Sequence, residues 1–238
     1  QFIVDSGIPV FDRIASRGNW KYVLIRSNEA HEVMLMIVVY KSIGEDGVNA
    51  FKAAFENEVD SLYYCETDVF EGYGTNPNII HLSGKEVLIE TLRGLQFEIS
   101  PLSFFQTNTQ GAELLFEKVE QLVEIDKNTV LIDVCCGTGV IGLSMARQAK
   151  FVVGVDIEEQ AILDARRNAE KNGITNTEYI AEKAEVAMPD ILERYAVNGQ
   201  KVVAIVDPPR GGLQKKALAS LRNCTSLKRL VYISCNAD

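Results

Sequence analysis

The chain has 238 residues, of which 47% are hydrophobic and 24% are charged, and its formal net charge is −9. This composition is typical of an ordinary soluble globular protein, and the length suffices for one large domain or two smaller ones. No apolar run approaches the roughly 18 residues of a membrane span, so we predict no membrane association. No signal-peptide pattern is present. The chain begins with Gln1 rather than Met, and we therefore expect a piece of a longer protein.

The cysteines and histidines argue against a metal centre. None of the five cysteines forms a C-x-x-C pair, and only two histidines are present. A zinc or iron–sulfur site is therefore not expected. An odd number of cysteines without secretory features indicates free thiols in a reducing compartment. We predict a cytoplasmic or nuclear location, with a mitochondrial one less favoured. We also predict a monomer.

The negative charge is concentrated in the first part of the chain. Residues 1–100 carry 8 basic and 15 acidic side chains, whereas the stretch 210–237 has six basic residues and no acidic one. The overall charge argues mildly against a nucleic-acid partner. Within the basic stretch, Arg210, Lys215 and Lys216 are nevertheless candidates to face phosphate groups.

The first hundred residues predict a small α+β domain. Alternating and β-branched residues indicate strands, apolar residues at three-to-four spacing indicate a helix, and Gly, Pro and Asn indicate a loop. In chain order we predict a hairpin of strands 22–26 and 32–40, a helix over 45–59, a strand over 61–67, a loop over 72–78 and a second hairpin of strands 86–92 and 95–99. His31 and His81 are interpreted as turn or strand residues rather than catalysts.

From residue 100 onward, predicted strands and helices alternate, which favours βαβ units and a parallel, doubly wound sheet. The first element is a helix over 109–123, whose apolar face is predicted to hold Leu114, Leu115, Val119 and Leu122. Strands are then predicted over 129–134, 151–156, 177–180, 202–207 and 229–234, and helices over 140–149, 158–172, 184–196 and 214–223. The predicted domains are thus residues 1–99 and 100–238.

The most informative stretch is Val130-Leu-Ile-Asp-Val-Cys-Cys-Gly-Thr-Gly-Val140. A strand that enters a glycine turn and leaves as a helix points backbone N–H groups and a helix N-terminus into a crevice. Gly137, Gly139 and Gly142 satisfy the G-x-G-x-x-G spacing, which fits NAD sites and S-adenosylmethionine sites alike. Asp133 precedes the glycines in the pattern Asp-x-x-x-Gly-x-Gly. In this feature the chain resembles the class I, Rossmann-like S-adenosylmethionine-dependent methyltransferases, whose first motif has an acid at this point.

Polar residues follow three further predicted strands, at the carboxyl ends where open α/β sheets bind ligands. Asp156 ends the second strand and is suited to accept hydrogen bonds from ribose hydroxyls, which both cofactors offer. Asp207-Pro-Pro-Arg210 ends the fourth strand, and its two prolines hold the neighbouring carboxylate rigidly. Ser234-Cys235-Asn236 follows the fifth strand. We therefore predict one functional cleft at these strand ends.

Cys235 separates two kinds of methyl transfer. Asp207-Pro-Pro resembles the Asp/Asn-Pro-Pro motif of methyltransferases that act on nucleobases or amide nitrogens. Carbon 5 of uracil is a poor nucleophile, but addition of a thiolate to carbon 6 turns carbon 5 into a carbanion that can take a methyl group from a sulfonium. Methylation of nitrogen needs no such adduct. A cysteine at a strand end beside Asp207 therefore favours carbon methylation of a pyrimidine.

Four motifs occur in the order and approximate spacing of the RNA uracil-5-methyltransferases, namely Pro101 to Gln106, Asp133 to Gly139, Asp207 to Arg210 and Ser234 to Asn236. The chain resembles this family weakly through residues 1–100, its RNA-holding central domain, and strongly thereafter. The doubled cysteine before the glycines resembles the eukaryotic tRNA (uracil-5-)-methyltransferases of type A more than the mitochondrial type B. The resemblance implies S-adenosylmethionine as cofactor and the T-loop uridine of a tRNA as substrate, flipped out of its stack to be reached.

The resemblance also implies roles for single residues. The implied cofactor contacts are Gln106, Asp133, Cys135, Gly137, Gly139, Val140, Asp156, Ile157 and Asp207. The implied substrate contacts are Gln106, Arg210 and Asn236, with Cys235 as the nucleophile and Asp207 between cofactor and base. The glutamate that removes the carbon-5 proton in the family would lie beyond Asp238, so no base is assigned. We accordingly expect a domain that lacks its C-terminal end and turns over poorly by itself.

Three other functions stay open at this point. An exocyclic-amine or amide methyltransferase would use Asp207-Pro-Pro and would not need Cys235. An NAD-dependent oxidoreductase would use the glycine spacing, although no acid or base for hydride transfer is evident. A non-catalytic tRNA-folding or scaffold module would bind RNA without any need for Cys235.

Overall fold

The computed structural model describes residues 1–74, 77–197 and 199–234. The chain forms two compact units, Gln1–Glu90 (unit 1) and Thr91–Asp238 (unit 2). The sequence predicted the boundary after residue 99. The residues from 91 to 99 belong to unit 2 because their backbone is hydrogen bonded to side chains of a helix in that unit.

Unit 1 is built around a four-stranded mixed sheet. Its elements are α1 (Phe2–Asp5), β1 (Trp20–Ser27), β2 (Val33–Tyr40), α2 (Gly44–Phe55), β3 (Ser61–Thr67) and β4 (Asn78–Gly84). The sheet order is β1-β2-β3-β4, with β2 and β3 parallel and the outer pairs antiparallel. The predicted first hairpin is confirmed. Strand β4 was not predicted, because its apolar residues Ile79, Ile80 and Leu82 do not alternate strictly with polar ones, and none of its residues is buried in the fold.

Unit 2 contains the second hairpin and an α/β layer. Its elements are β5 (Leu88–Leu92), which crosses the division, β6 (Leu95–Ile99), α3 (Thr109–Val123), β7 (Thr129–Val134), α4 (Val140–Ala146), β8 (Phe151–Asp156), α5 (Glu159–Lys171), β9 (Thr177–Ala181), α6 (Ala184–Tyr195), β10 (Lys201–Val206), α7 (Lys215–Asn223) and β11 (Leu227–Tyr232). Strands β7 to β11 form one sheet whose pairs are all parallel, as predicted. Among the described residues, no helix is long and apolar enough to span a membrane.

The order of the parallel sheet is β11-β10-β7-β8-β9, with β7 in the centre. After β7 the chain builds β8 and β9 on one side, and it then crosses back to build β10 and β11 on the other. The loops that follow the adjacent strands β7 and β10 therefore lead away in opposite directions. Such a point, where the strand order reverses, leaves a crevice at the carboxyl ends of the two strands. All six residues of β7 are buried, as expected for a strand covered on both faces.

The inward face of α3 differs from the prediction. Of the four predicted residues only Val119 is buried, and Leu114 is 69% exposed. The buried residues are Ala112, Phe116, Val119 and Val123. Both sets have helical spacing and share Val119, so the sequence pattern fits either face. Packing of α3 in the folded unit decides between them.

Candidate active site

The loop after β7 is wound tightly by residues in the left-handed region. Cys135, Gly137 and Gly139 have φ angles of 60°, 53° and 80°. The Gly139 N–H donates to the Cys136 carbonyl oxygen over 2.9 Å and closes the turn that starts α4. A Cβ atom on Gly137 would meet no atom within 4 Å, so its backbone conformation, and not lack of space, favours glycine there.

The third glycine of the spacing lets α4 approach β7. The Gly142 N–H donates to Asp133 Oδ2 over 2.9 Å, and a Cβ atom on Gly142 would lie 2.9 Å from that same oxygen. Asp133 is completely buried, and its other oxygen, Oδ1, has no hydrogen-bond partner among the described residues. The carboxylate therefore anchors the first turn of α4 from within the core.

Asp133 lies close enough to Asp156 and Asp207, at the ends of two neighbouring strands, for their charges to affect it. Burial raises the pKa of Asp133 to about 7, the N–H of Gly142 opposes this shift, and the charges of Asp207 and Asp156 add to it. Burial likewise raises the pKa of Cys135 to about 12, and the same three carboxylates act in the same direction. None of the described Lys or Arg side chains forms an ion pair with Asp133, Asp156 or Asp207. The crevice therefore has an uncompensated negative charge.

Asp156 lies at the end of β8 and faces the glycine loop. Its Oδ2 accepts the Gly137 N–H over 2.9 Å, and its Oδ1 accepts the Glu158 N–H over 3.0 Å. Each oxygen retains a lone pair, so the partly exposed carboxylate can accept two more hydrogen bonds. The neighbouring Ile157 is 59% exposed and offers an apolar surface beside it.

Asp207 extends the pairing of β10 with β7, because its N–H donates to the Val134 carbonyl oxygen over 3.2 Å. Its side chain is half-buried, and burial raises the pKa of the carboxyl. The loop then turns back through a hydrogen bond of 2.8 Å from the Gly212 N–H to the Pro209 carbonyl oxygen. Arg210 is exposed in this turn and forms no ion pair within the described part of the chain.

Gln106 belongs to a segment that begins with a hydrogen-bonded turn. The Ser103 hydroxyl donates to the Ser100 carbonyl oxygen over 3.0 Å and accepts the Ser100 N–H over 3.1 Å. Phe105 is buried and packs on Phe97 with ring centroids 6.1 Å apart. The half-buried Gln106 thus follows an anchored residue.

Two predicted site residues, Cys235 and Asn236, lie outside the described residues. The chain that leads to them runs along the crevice edge, since the Ile233 N–H donates to the Val206 carbonyl oxygen over 2.8 Å and so extends the pairing of β11 with β10. Val206 directly precedes Asp207. The nucleophilic and substrate-binding roles of these two residues stay predictions.

Sequence reasoning did not find Tyr179 of β9, which packs against the glycine loop. A Cβ atom on Gly139 would lie 2.9 Å from the Tyr179 hydroxyl oxygen, and one on Gly154 would lie 2.5 Å from its ring. Gly154 in the middle of a buried strand was the available signal, because such a glycine often marks a close approach. The ring therefore fills the space that two glycines leave free.

Neither a group of metal ligands nor the groove along α3 adds a residue to the site. Within residues 1–74, 77–197 and 199–234, no three His, Cys, Asp or Glu side chains are grouped so as to hold a metal ion. A groove lies along α3 and contains Arg93, Glu113, Leu114 and Glu120 among its lining residues, but none of the candidate site residues. The crevice at the strand ends remains the candidate active site.

Comparison with known proteins agrees with this fold. A family model described as a methyltransferase domain matches residues 125–227. The human tRNA (uracil-5-)-methyltransferase homolog A is 34% identical over 252 residues, which cover 99% of this chain and 39% of that protein. The zebrafish (Danio rerio) homolog B is 36% identical over 232 residues, covering 93% of this chain and 48% of that protein.

A solved structure is similar over the same extent. It is the Pyrococcus abyssi tRNA (uracil-54, C5)-methyltransferase in complex with S-adenosyl-L-homocysteine, with 32% identity and a TM-score of 0.77. The match covers 99% of this chain and 54% of the archaeal one, so the chain spans about half the length, or less, of these relatives. Unit 2 thus has the class I methyltransferase fold, and the predicted resemblance of nearly the whole chain to the tRNA uracil-5-methyltransferases is confirmed.

Proposed function

We propose that this protein transfers a methyl group from S-adenosylmethionine to carbon 5 of a uridine in RNA, and that its substrate is the T-loop uridine of a tRNA. Relatives whose names state tRNA uracil-5 methylation align with almost the whole chain, and this supports the proposal. The observation that carries it is the meeting of the glycine loop, Asp156 and Asp207 at the ends of β7, β8 and β10. The Gly137 N–H donates to Asp156 Oδ2 over 2.9 Å, and the Asp207 N–H donates to the Val134 carbonyl oxygen over 3.2 Å.

The charge of these carboxylates suits a sulfonium ligand. When bound, S-adenosylmethionine supplies a methyl group on a positively charged sulfur atom. A cation gains free energy beside partly buried carboxylates, whereas the pyrophosphate of NAD would be repelled by them. The crevice therefore favours S-adenosylmethionine over the NAD alternative, although the glycine spacing accommodates both.

Individual residues have distinct tasks in this proposal. Asp156 accepts hydrogen bonds from the ribose hydroxyls through its remaining lone pairs. Cys135, Val140 and Ile157 provide the apolar walls around the cofactor, while Gln106 reaches toward the cofactor and the base. Asp207 holds the edge of the uracil between cofactor and nucleophile, and its proline neighbours keep the carboxylate in place.

Cys235 is the proposed nucleophile. Its thiolate sulfur forms a bond to carbon 6 as the double bond between carbons 5 and 6 breaks, and the electron pair moves into an enolate that includes carbon 5. Carbon 5 then takes the methyl group, and the former sulfonium sulfur keeps the electrons of the broken bond. Loss of the carbon-5 proton to a base expels the cysteine sulfur and restores the double bond. We assign no residue of the printed sequence as that base.

Free cations in the part of the chain that follows Asp207 support RNA as the substrate. Elsewhere in the described part of unit 2, every Lys and Arg side chain except Lys183 contacts a protein acceptor, as in Lys171 with Glu98 and Lys201 with Asp126. Five without such a contact among the described residues follow Asp207, namely Arg210, Lys215, Lys216, Arg222 and Lys228. Cations without protein partners are available for phosphates.

The position of these cations yields a matched comparison. Lys215 and Lys216 begin α7 next to the Asp207 loop, whereas Arg222 lies about 10 Å further along the helix. We expect Lys215→Glu with Lys216→Glu to weaken binding to a T-arm RNA about tenfold, and Arg222→Glu with Lys228→Glu to weaken it less than about twofold. Equal losses in a salt titration would mean a nonspecific charge effect instead.

The decisive test uses intact-mass spectrometry after mixing the protein with S-adenosylmethionine and a T-arm RNA that contains 5-fluorouridine. Fluorine cannot leave carbon 5 as a proton does, so the covalent methylated adduct should accumulate and map to Cys235. The adduct should be absent from Cys235→Ala and present in Cys224→Ala, which removes a half-buried thiol after α7.

The other outcomes separate the alternatives. Methylated RNA without an adduct, in both the protein and Cys235→Ala, would indicate nitrogen methylation. RNA binding with neither methylation nor affinity for S-adenosylhomocysteine would indicate a scaffold module. Displacement of S-adenosylhomocysteine by NAD at comparable concentration would contradict the charge argument for the cofactor.

A further inference from the structure

Helix α5 and its C-terminal cap carry a row of polar side chains, two of them buried, that the proposed chemistry does not use. Asp164, Asn168 and Asn172 follow one another at four-residue spacing and so share one face of the helix. Asp164 is 1% exposed and Asn168 is completely buried. Polar side chains of this type are rarely so buried unless hydrogen bonds compensate for the loss of water. The hydrogen-bond partners of these side chains therefore indicate what the row holds in place.

The row acts as a partner for the backbone of β6 and the residue after it. Asn172 Oδ1 accepts the Gln96 N–H over 2.9 Å, and its Nδ2 donates to the Gln96 carbonyl oxygen over 2.7 Å. Asn168 Oδ1 accepts the Glu98 N–H over 2.8 Å. Four residues of a helix span about 6 Å and two residues of a strand span about 6.6 Å. Side chains four positions apart on the helix therefore meet alternate residues of β6.

The third member of the row holds the turn that precedes Gln106. Asp164 Oδ2 accepts the Ser100 hydroxyl over 2.8 Å, and Asp164 Oδ1 accepts Gln160 Nε2 over 3.0 Å and also bonds Arg167. The β6 backbone and the start of the Gln106 segment are thus fastened to one helix face.

Asn168 alone has a second partner in the glycine loop. Its Nδ2 donates to the Thr138 carbonyl oxygen over 3.1 Å in a buried hydrogen bond. Thr138 lies between Gly137 and Gly139, the two left-handed glycines of the loop. One amide therefore joins the loop to β6, and only a side chain with both a donor and an acceptor in this geometry can do so.

We propose that Asn168 is a positioning residue that holds the glycine loop in register with the segment that carries Gln106, and so determines how well the crevice binds the cofactor. The proposal rests on the proposed function for the identity of the cofactor. Its geometric part, the tie between loop and strand, depends only on the contacts of Asn168. Loss of that tie leaves a buried carbonyl without its partner and frees the loop to adopt other conformations.

Asn168→Ala and Asn172→Ala form the matched pair for the test. Both remove hydrogen bonds to β6, but only Asn168→Ala releases Thr138. We expect Asn168→Ala to weaken the binding of S-adenosylhomocysteine about tenfold in a calorimetric titration, and Asn172→Ala to weaken it less than about twofold. Both variants should melt at a lower temperature than the unsubstituted protein.

Asn168→Asp provides a second variant that keeps the acceptor for Glu98 but cannot donate to Thr138 when ionised. It should lose cofactor affinity like Asn168→Ala. Amide exchange gives a readout without cofactor, since the Gly139 N–H should exchange faster in both Asn168 variants and be unchanged in Asn172→Ala.

Unchanged exchange and affinity in both Asn168 variants, or equal changes in Asn172→Ala, would overturn the positioning role. Failure of the unsubstituted protein to bind S-adenosylhomocysteine would contradict the proposed function instead. The exchange measurement would then still show whether Asn168 holds the glycine loop to β6. If Asn168→Ala does not fold, Asn168→Asp supplies both measurements.

Discussion

The two sheets of this protein treat charged side chains in different ways. In unit 1, Lys21 Nζ donates to the carbonyl oxygens of Val69 and Gly72 over 2.7 Å and 2.8 Å, and Lys85 pairs with Glu32. In unit 2, Asp133, Asp156 and Asp207 lie at the ends of three parallel strands and form no ion pair among the described residues. Burial, assisted by the charges of Asp207 and Asp156, raises the pKa of Asp133. These cations of the first sheet have oxygen partners within the protein, whereas the carboxyl edge of the second sheet collects acidic residues without cationic partners among the described residues.

Strand direction explains the difference. In a mixed sheet with antiparallel pairs, the ends of neighbouring strands point to opposite edges, so the polar residues that follow them are dispersed. In a parallel sheet every carboxyl end lies on the same edge, and residues far apart in sequence meet there. The comparison teaches that the chemistry of unit 2 follows from its topology. Unit 1 has acidic side chains too, but its strand directions do not bring them to one edge.

The largest effect should come from removing one charge of the accumulated set. Asp207→Asn keeps the shape of the side chain but removes its charge beside the cofactor and base, and we expect the methylation rate to fall about 100-fold or more. Asp190→Asn is the control, because Asp190 is 67% exposed and paired with Arg194. A rate for Asp207→Asn within twofold of the control would remove Asp207 from the site.

Packing around the glycine loop gives the next effect. In Gly154→Ala the new Cβ would lie 2.5 Å from the Tyr179 ring and 2.9 Å from Cys136 Sγ, and we expect a loss of about 1–3 kcal/mol in the free energy of unfolding. Gly47→Ala in α2 of unit 1 meets only the Ile43 side chain at 3.1 Å, so the helix preference of alanine should make it neutral or slightly stabilising. Urea unfolding of both variants checks this contrast, and equal losses would contradict it.

The burial of Asp133 should also appear as a pH dependence of the stability. Asp133 has a pKa of about 7 in the folded protein, above the value of about 3.9 expected when unfolded. The folded state therefore binds more protons between these values, and its stability should fall as the pH rises from about 4 to about 7, by at most about 1.4 kcal/mol per pH unit. Asp133→Asn should lack this contribution. Parallel stability–pH curves for the two proteins would show that Asp133 titrates normally.

Surface charge in unit 1 should have the smallest effect. Arg13 pairs with Glu71, but the two side chains are 70% and 74% exposed. Water and salt screen such a pair, so Arg13→Ala should change the melting temperature by less than about 1 °C. A shift of several degrees would show that unit 1 also depends on individual charges.

Local patterns in the sequence predicted much of unit 2. The apolar runs of β7 and β8 were placed with their observed bounds, since both faces of these strands are buried and the pattern is unambiguous. The glycine spacing and Asp133 predicted the tight loop, because left-handed backbone strongly favours glycine. Strand β4 and the inward face of α3 were beyond such reasoning, since burial of their residues depends on neighbours distant in the chain.

The sequence by itself determined the order of strands and helices in unit 2, the turn chemistry of the glycine loop and the resemblance to a methyltransferase family. Only the tertiary structure decided that the charges of Asp156 and Asp207 act on the buried Asp133, and that Asn168 joins Thr138 to Glu98. The physical reason is that periodicity and turn preference act over a few neighbouring residues. The electrostatics of a crevice and the two hydrogen bonds of one amide depend on residues tens of positions apart. Pairing of β7 with β8 and β10 brings the three acidic residues together, and packing of α5 against β6 and the glycine loop gives Asn168 its two partners.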